Sequence, residues 1–450
     1  MKKLKKLLSL LLAAVLMLSV TGCADEGKSF TTDQVTVWIW DESQLEAWQA
    51  IADSWTEETH ITVKITVKDK ATYWQEVERG MLPDILWMDS QHLQTCVQGD
   101  MLLRLDDVLK SSSLNMGDYD SQVVESFQVD GYTYAIPKDS SVMALWYNKV
   151  LFDTMNVAYP DESWTWEDLV GASEKLTNRH SGKCGIAMDI TDTSDGWYNL
   201  LYAYGGGVLT TDENGQITSG WGSPETGEAM SLLAELICNS MPGQPTMSRV
   251  GAYELFTSGN TAMLILSGEE AMSLIREGGA ENWACTLLPY CDRDGSGDCG
   301  EGERVSMLEG NGWVISSMAS DSVAAFDLLE TFCSKESQQK MAEGSISQPA
   351  MTSLAESWCT SIEGWDFTPY TKTLSGSELI SAPIQTAAEN WQDYAASTTL
   401  YVAWNDPARM DEMLQEQHEY TLSDLARGDN TPEEAETEGT EAGTAEEAAG

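Results

Sequence analysis

The feature that most constrains this chain is the rhythm of its first folded stretch, where short apolar runs alternate with amphipathic ones. Gln34 to Trp40 (QVTVWIW) is β-rich and reads as a first strand. From Glu42 to Thr59 the residues Leu45, Trp48, Ile51, Ala52 and Trp55 recur at helical spacing. Ile61 to Val67 (ITVKITV) alternates apolar and polar side chains, as a half-exposed strand does. Tyr73 to Arg79 reads as helix, and Asp84 to Met88 as a short buried strand. Such alternation leaves an α/β layer with a largely parallel sheet as the natural solution.

Further on, Tyr132 to Pro137 and Val142 to Tyr147 read as strands separated by Lys138-Asp139-Ser140-Ser141. Ser163 to Lys175 carries a helix start, with Thr165 as N-cap and Asp168 closing a capping box. From there to about residue 282 the pattern is mainly helical, and Leu255 to Ile275 is its most apolar stretch. Trp283 to Tyr290 and Val314 to Ser316 read as strands, and residues 321–342 and 376–427 as helical. Gly205 to Gly207 reads as a tight turn and not a phosphate cradle, because no GK[ST] follows. A chain of 450 residues is too long for one core and divides into two lobes.

The two ends stand apart from this pattern. Lys2, Lys3, Lys5 and Lys6 precede an apolar run from Leu7 to Val20, and Val20-Thr21-Gly22-Cys23 supplies small residues before a cysteine. The run is shorter than the roughly 20 residues of a membrane span and reads as an export signal over residues 1–22. It is similar to a bacterial lipobox, which implies that Cys23 is diacylated and that residues 23–32 form a tether. Residues 428–450 are Glu, Ala, Thr and Gly with no aromatic side chain, the composition of a disordered acidic tail.

Formal charge is −47, and more negative once the leader lysines are removed. Such a surface repels nucleic acid and anionic lipid, so nucleic acid is excluded as a partner. The 17 Trp and 15 Tyr against 7 Phe favour half-wet surfaces, because both side chains join an apolar face to a hydrogen-bonding edge. Eight cysteines follow Cys23 without a CxxC pair, and four scattered His make a zinc site unsupported. Cys291 and Cys299 flank a Gly/Asp-rich loop and are the best-placed local disulfide.

Six strings in order, VTVWIW, PDILWMDS at 83–90, GYTYAIPKDSSVMALWYN at 131–148, SWTWEDL at 163–169, AYGGGVL at 203–209 and NGWVIS at 311–316, carry a family likeness. From about Val35 to Leu425 the chain resembles the extracellular solute-binding proteins of ABC importers, particularly the carbohydrate-binding family 1, or maltose-binding-like, group. The resemblance implies a two-lobed α/β periplasmic-binding-protein-like fold of type II, with ligand in the cleft and closure by a hinge. It implies an N-terminal lobe of residues 30–143 plus 283–310 and a C-terminal lobe of 144–282 plus 311–427. It also implies no catalysis, a carbohydrate ligand, ABC permease subunits as partners, and a lipid-anchored place outside a Gram-positive type of membrane.

Cleft sites in open α/β sheets lie beyond the carboxyl ends of strands. That rule selects Trp40 and Asp41, Asp89 and Ser90, and Asp139, carboxylates being strong acceptors for sugar hydroxyls. The family likeness points to Asp89 and Asp139 as ligand-facing and to Trp313 as a stacking platform. Trp146, Trp197, Trp221 and Trp404 are further stacking candidates. In AMLILSGEEA the family often shows a Trp after the glycine, whereas Glu269 and Glu270 follow Gly268 here. Glu269 therefore reads either as a ligand contact of altered chemistry or as a solvated helix start.

Asp292 to Glu303 (DRDGSGDCGEGE) matches an EF-hand template, with Asp292, Asp294, Ser296, Asp298 and Glu303 as candidate calcium ligands. No incoming amphipathic helix precedes it, so an acidic Gly-rich hairpin loop is the alternative. Two other functions stand beside transport: a surface glycan receptor or adhesin, and a secreted glycoside hydrolase. For the latter no carboxylate pair is singled out, and none of the four His has a GxSxG nearby.

Overall fold

The computed structural model describes residues 30–188, 190, 197–211, 217–240, 249–277, 282–344, 346–381 and 407–427. The leader, Cys23, most of the tether, Trp404 and the acidic tail lie outside these.

Strands β1 (Gln34–Ile39), β2 (Thr62–Val67) and β3 (Ile85–Asp89) are parallel neighbours, with Val37 opposite both Ile65 and Ile85. Helices α1 (Leu45–Thr59) and α2 (Lys70–Glu78) connect them, as the apolar periodicity predicts. β4 (Gln128–Val129) and β5 (Tyr132–Thr133) form a small hairpin ahead of β6 (Ala135–Pro137). The sheet is completed antiparallel, in the order β2-β1-β3-β14-β6, by β14 (Asn311–Ile315).

A second sheet has the order β12-β7-β11-β8, built from β7 (Met143–Asn148), β8 (Cys184–Ile186), β11 (Thr261–Ser267) and β12 (Trp283–Thr286). Every residue of β7 and β11 is buried. Alternate residues of β7 serve two cores: Ala144 and Trp146 face one, Met143, Leu145 and Tyr147 the other. A strand buried on both faces loses polar alternation. That is why 261–267, inside the stretch expected to be mainly helical, is the sheet's most apolar strand.

The remaining strands lie outside these two sheets. β9 (Leu209–Thr211) and β10 (Ile217–Ser219) make a hairpin, and β13 (Val305–Leu308) pairs in parallel with β15 (Glu378–Ser381). The turn at Gly205–Gly207 is as tight as expected. Gly205 has φ +80°, and a Cβ on Gly206 would stand 2.7 Å from the Thr226 hydroxyl. The capping box at Thr165 and Asp168 starts the helix Trp166–Leu176.

Two expectations about chain division are corrected. β12 belongs to the second sheet through β7, although residues 283–310 were assigned to the first lobe. β14 lies inside the first sheet, with Trp313 opposite Trp87 and Ile136, although residues 311–427 were assigned to the second. The chain therefore returns to the first lobe through β14. Two crossings run side by side: Ser141 pairs with Glu309 in an antiparallel bridge, the Glu309 amide donating to the Ser141 carbonyl at 2.7 Å. In 321–342 a break at Ser334 separates helices Ser322–Phe332 and Lys335–Glu343; within 376–427, expected to be helical, Glu378–Ser381 is instead strand β15, and the described helix is Pro407–Arg427.

Candidate functional site

Three strands of the first sheet, β1, β3 and β6, end at one edge beside Asp41, Asp89 and Asp139, and the first two aspartates also start the next element. Asp41 follows β1, accepts from the Ser43 amide at 2.9 Å, and caps the turn Glu42–Gln44. Asp89 ends β3 and caps α3 (Ser90–Gln98), accepting from the His92 amide at 3.0 Å. Short polar side chains suit this place because they satisfy the first free amides of a helical turn. A carboxylate has about four acceptor positions, so a capping aspartate keeps lone pairs for a ligand.

Two networks join these ends. In one, the Lys138 ammonium is buried against the Asp139 carboxylate, lies 4.4 Å from the Trp87 ring centre, and donates to Gln44 Oε1 at 3.2 Å. Gln44 Nε2 then donates to Asp41 Oδ2 at 3.0 Å, and the Trp48 indole donates to Gln44 Oε1 at 3.2 Å. The other oxygen of Asp139 accepts from the Asn311 amide at 2.8 Å. One buried cation thus ties together two of the three aspartates and the start of β14.

In the other network, Asp89 pairs with His92 Nδ1 at 2.7 Å and lies 4.0 Å from the Lys70 ammonium. Burial raises the Asp89 carboxyl, but the His92 hydrogen bond and charge outweigh it and hold the group below its ordinary value. Lys70 stands 5.6 Å from the centre of the Trp40 ring. Trp40 is half-buried and packs on Tyr73, Trp87 and Trp74 at centroid distances of 5.0, 5.2 and 5.8 Å. Trp74 in turn stacks on His92 at 3.6 Å.

The second lobe presents the start of helix α6 (Gly268–Glu277), directly after β11. Ser267 caps it in capping-box fashion with Glu270, which leaves Glu269 pointing elsewhere. Burial pushes the Glu269 carboxyl up to about 7, and the negative charge of Asp139 adds to the rise. Lys138, Asp41 and Lys70 also act on it electrostatically. Glu269 thus lies within electrostatic reach of the aspartate-bearing edge of the first lobe, although it stands on the second.

The structure brings Trp40, Asp41, Asp89 and Asp139 to one edge of the first sheet, with Glu269 of the second lobe within electrostatic reach of Asp139 and Asp41. Four of the other candidate tryptophans go to the cores. Trp313 is fully buried, edge-on to Trp48 at 5.1 Å and stacked on Phe332 at 4.8 Å. Trp146 is likewise buried, its indole donating to the Tyr370 hydroxyl at 2.7 Å. Trp197 and Trp221 are buried in the core behind the second sheet. An enclosed indole offers no face to a ligand, so these four are packing residues and not platforms. Trp404 lies outside the described residues.

Gln44, Lys70, Lys138 and His92 escaped the sequence reading. The strand-end rule picks out the aspartates but not the side chains that orient them. A lone lysine between two apolar strands, in AIPKDSS, was the one signal for Lys138.

The loop 292–303 is built differently from its template. Carboxylates of Asp292, Asp294 and Glu303 lie within 4.8 Å of one another. Both Glu303 oxygens already accept backbone amides, from Arg293 at 2.9 Å and Gly300 at 2.7 Å. Asp298 is outside this group, and the Ser296 hydroxyl donates to the Asp298 carbonyl at 3.0 Å. The expected Cys291–Cys299 bridge is absent: Cys291 is buried, Cys299 is exposed, and both thiols are free.

A model of the bacterial extracellular solute-binding proteins matches residues 50–363. The lactose-binding protein of Rhizobium radiobacter is 23% identical over 340 residues, covering 72% of this chain and 74% of its own. A solute-binding protein of an ABC transporter from Thermotoga lettingae, solved with alpha-D-tagatose, superposes with a TM-score of 0.72 at 19% identity, covering 87% of this chain and all of that one. An ABC substrate-binding protein from Listeria monocytogenes, in complex with cycloalternan, gives 0.70 at 17% identity, covering 88% and 100%. These two likenesses establish the type II periplasmic-binding-protein fold. With the family pattern running from α1 to well beyond β14, the chain belongs to the bacterial extracellular solute-binding proteins.

Proposed function

We propose that this chain captures a carbohydrate, an oligosaccharide in the first place, between its lobes and delivers it to the permease of an ABC importer. The observation that carries the reading is the approach of the start of α6 on the second lobe to the segment after β6: a Cβ on Gly268 would stand 3.1 Å from Gln348, whose carbonyl accepts from the Ser140 amide, and the charges of Asp139, Lys138 and Asp41 reach Glu269. A solute that bonds to both sides favours the closed arrangement by its differential affinity for it. Trp40 supplies a half-open apolar surface beside charged acceptors, the combination that a sugar's C–H face and hydroxyl rim require. A relative named for binding lactose, and structural neighbours solved with tagatose and with cycloalternan, support the same ligand class.

In this reading the protein performs no chemistry. Cys23 carries a lipid, residues 24–32 tether the lobes outside a Gram-positive type of membrane, and the permease meets the closed form. A panel of mono- and oligosaccharides read by thermal shift tests it, because a solute that binds the folded state raises Tm. At least one sugar should do so saturably, and a panel without any shift would sink the carbohydrate assignment. Small-angle scattering with that sugar should show a smaller radius of gyration. An unchanged radius would favour an adhesin that binds glycan without closing.

A further inference from the structure

Gln348 is 2% exposed, yet neither its Oε1 nor its Nε2 has a hydrogen-bond partner. Its backbone is held firmly. The Gln348 carbonyl accepts from the Ser140 amide at 3.0 Å, and the next carbonyl, of Pro349, accepts from the Ser140 hydroxyl at 3.2 Å. The side chain is thereby anchored on the segment that crosses between the lobes. Its amide reaches across to the second lobe: Oε1 lies 3.1 Å from where a Cβ on Gly268 would stand. Gly268 opens α6, whose first amides precede any intrahelical bond, and Glu269 is next in the chain.

Two more buried polar atoms without partners lie close by. The Ser141 hydroxyl follows Ser140 on the same crossing, and the Trp358 ring edge is 3.5 Å from the same Gly268 position, its Nε1 unpartnered. An amide brings two donors and an acceptor oxygen, and leaving them unmade in the interior forfeits their full hydration. A leucine would fill similar space without that loss.

We infer that Gln348 is a ligand-reading residue whose amide takes a pair of neighbouring hydroxyls on the solute, one donating to Oε1 and the other accepting from Nε2. The inference rests on the carbohydrate reading above and names its chemistry. An amide reads neutral hydroxyls in both senses, whereas an anionic solute would meet the carboxylate of Glu269, which follows Gly268 in the chain. The site joins the crossing segment to the second lobe, so its bonds would be completed only with solute held between the lobes.

The test compares Gln348→Leu and Gln348→Met with the wild-type chain in two measurements. Without solute, both variants should melt at or above the wild-type Tm, since only unsatisfied polar atoms are removed. A fall of more than about 5 °C in both would overturn the inference, whatever the affinities, by showing the amide to be structural. With the best-binding sugar of the panel, calorimetry should show affinity weakened at least about tenfold, the loss expected from two neutral hydrogen bonds. A smaller loss with Tm retained would overturn it equally. If the wild-type chain binds no sugar, the carbohydrate reading fails on its own account. The inference then falls with it, whereas sugar binding left unchanged in both variants overturns the inference alone.

Discussion

Replacing Lys138 with methionine should unfold the first lobe far more easily than any surface change. The Lys138 side chain has no exposure and that of Asp139 has 5%, so the pair is sealed from water. Methionine preserves most of the stem volume but removes the ammonium. Asp139 would then keep only the Asn311 amide as donor, and Gln44 Oε1 only the Trp48 indole. Breaking one side of a buried pair leaves an uncompensated charge, at a cost of about 3–5 kcal/mol. The lost ammonium–Trp87 contact is part of the same figure. For a folding unit of roughly 200 residues this corresponds to a Tm drop of about 6–20 °C. Asp139→Asn alone should cost a similar amount, by stranding the ammonium. The double variant Lys138→Met/Asp139→Asn should recover most of the loss, because neither ion remains. Thermal and urea melts of the four proteins close the cycle. A Lys138→Met chain melting within about 2 °C of wild type would refute the reasoning, since it would mean that water reaches this pair.

Other consequences follow from the same edge. Glu269, raised to about 7 from an ordinary 4.5, binds its proton more tightly folded than unfolded. Its contribution is complete below about pH 4.5 and is lost as pH rises to about 7, about 2 kcal/mol for a half-buried group. The Tm of Glu269→Gln minus that of wild type should therefore be near zero at acid pH and grow to about 4–8 °C by pH 8, and a flat difference would contradict this. Trp313→Ala should cost about 3–5 kcal/mol of stability, whereas Trp40→Ala should cost less and weaken sugar binding more; the reverse order in urea melts and calorimetry would overturn the assignment of core and surface. Calcium entering the 292–303 loop must displace the amides on Glu303, so calorimetry should give a Kd no tighter than about 10⁻⁴ M, and micromolar binding would show that the loop rebuilds itself.

How much of this was legible in the sequence depends on which interaction decided each element. α1, β1 and β2 were readable because one face of each is buried and the period shows, and β3, buried on both faces, because it is a short apolar run bounded by Asp84 and Asp89. β11 was not, since a strand enclosed on both faces carries no alternation and looks like buried helix. β14 was recognised as a strand but placed in the wrong lobe, because local pattern says nothing about which sheet edge a strand joins. At the site, the aspartates at strand ends were found by topology. The tryptophans misled, because the same indole that suits a sugar also fills a core, and burial of Trp146 and Trp313 is decided by partners distant in sequence such as Tyr370 and Phe332. Lys138 left a single signal and Gln348 none, for the complementary reason: their importance lies in what the fold pairs with them or withholds from them.

A crystal structure of the chain grown with the best-binding sugar tests the central claim most directly. The account predicts sugar density between Trp40, Asp41 and Asp89 on one side and Glu269 on the other, with hydroxyls within hydrogen-bond reach of the carboxylates. Density confined elsewhere, for example to the 490 Å³ groove lined by Tyr204, Glu228 and Met410, with the interlobe face empty, would contradict it.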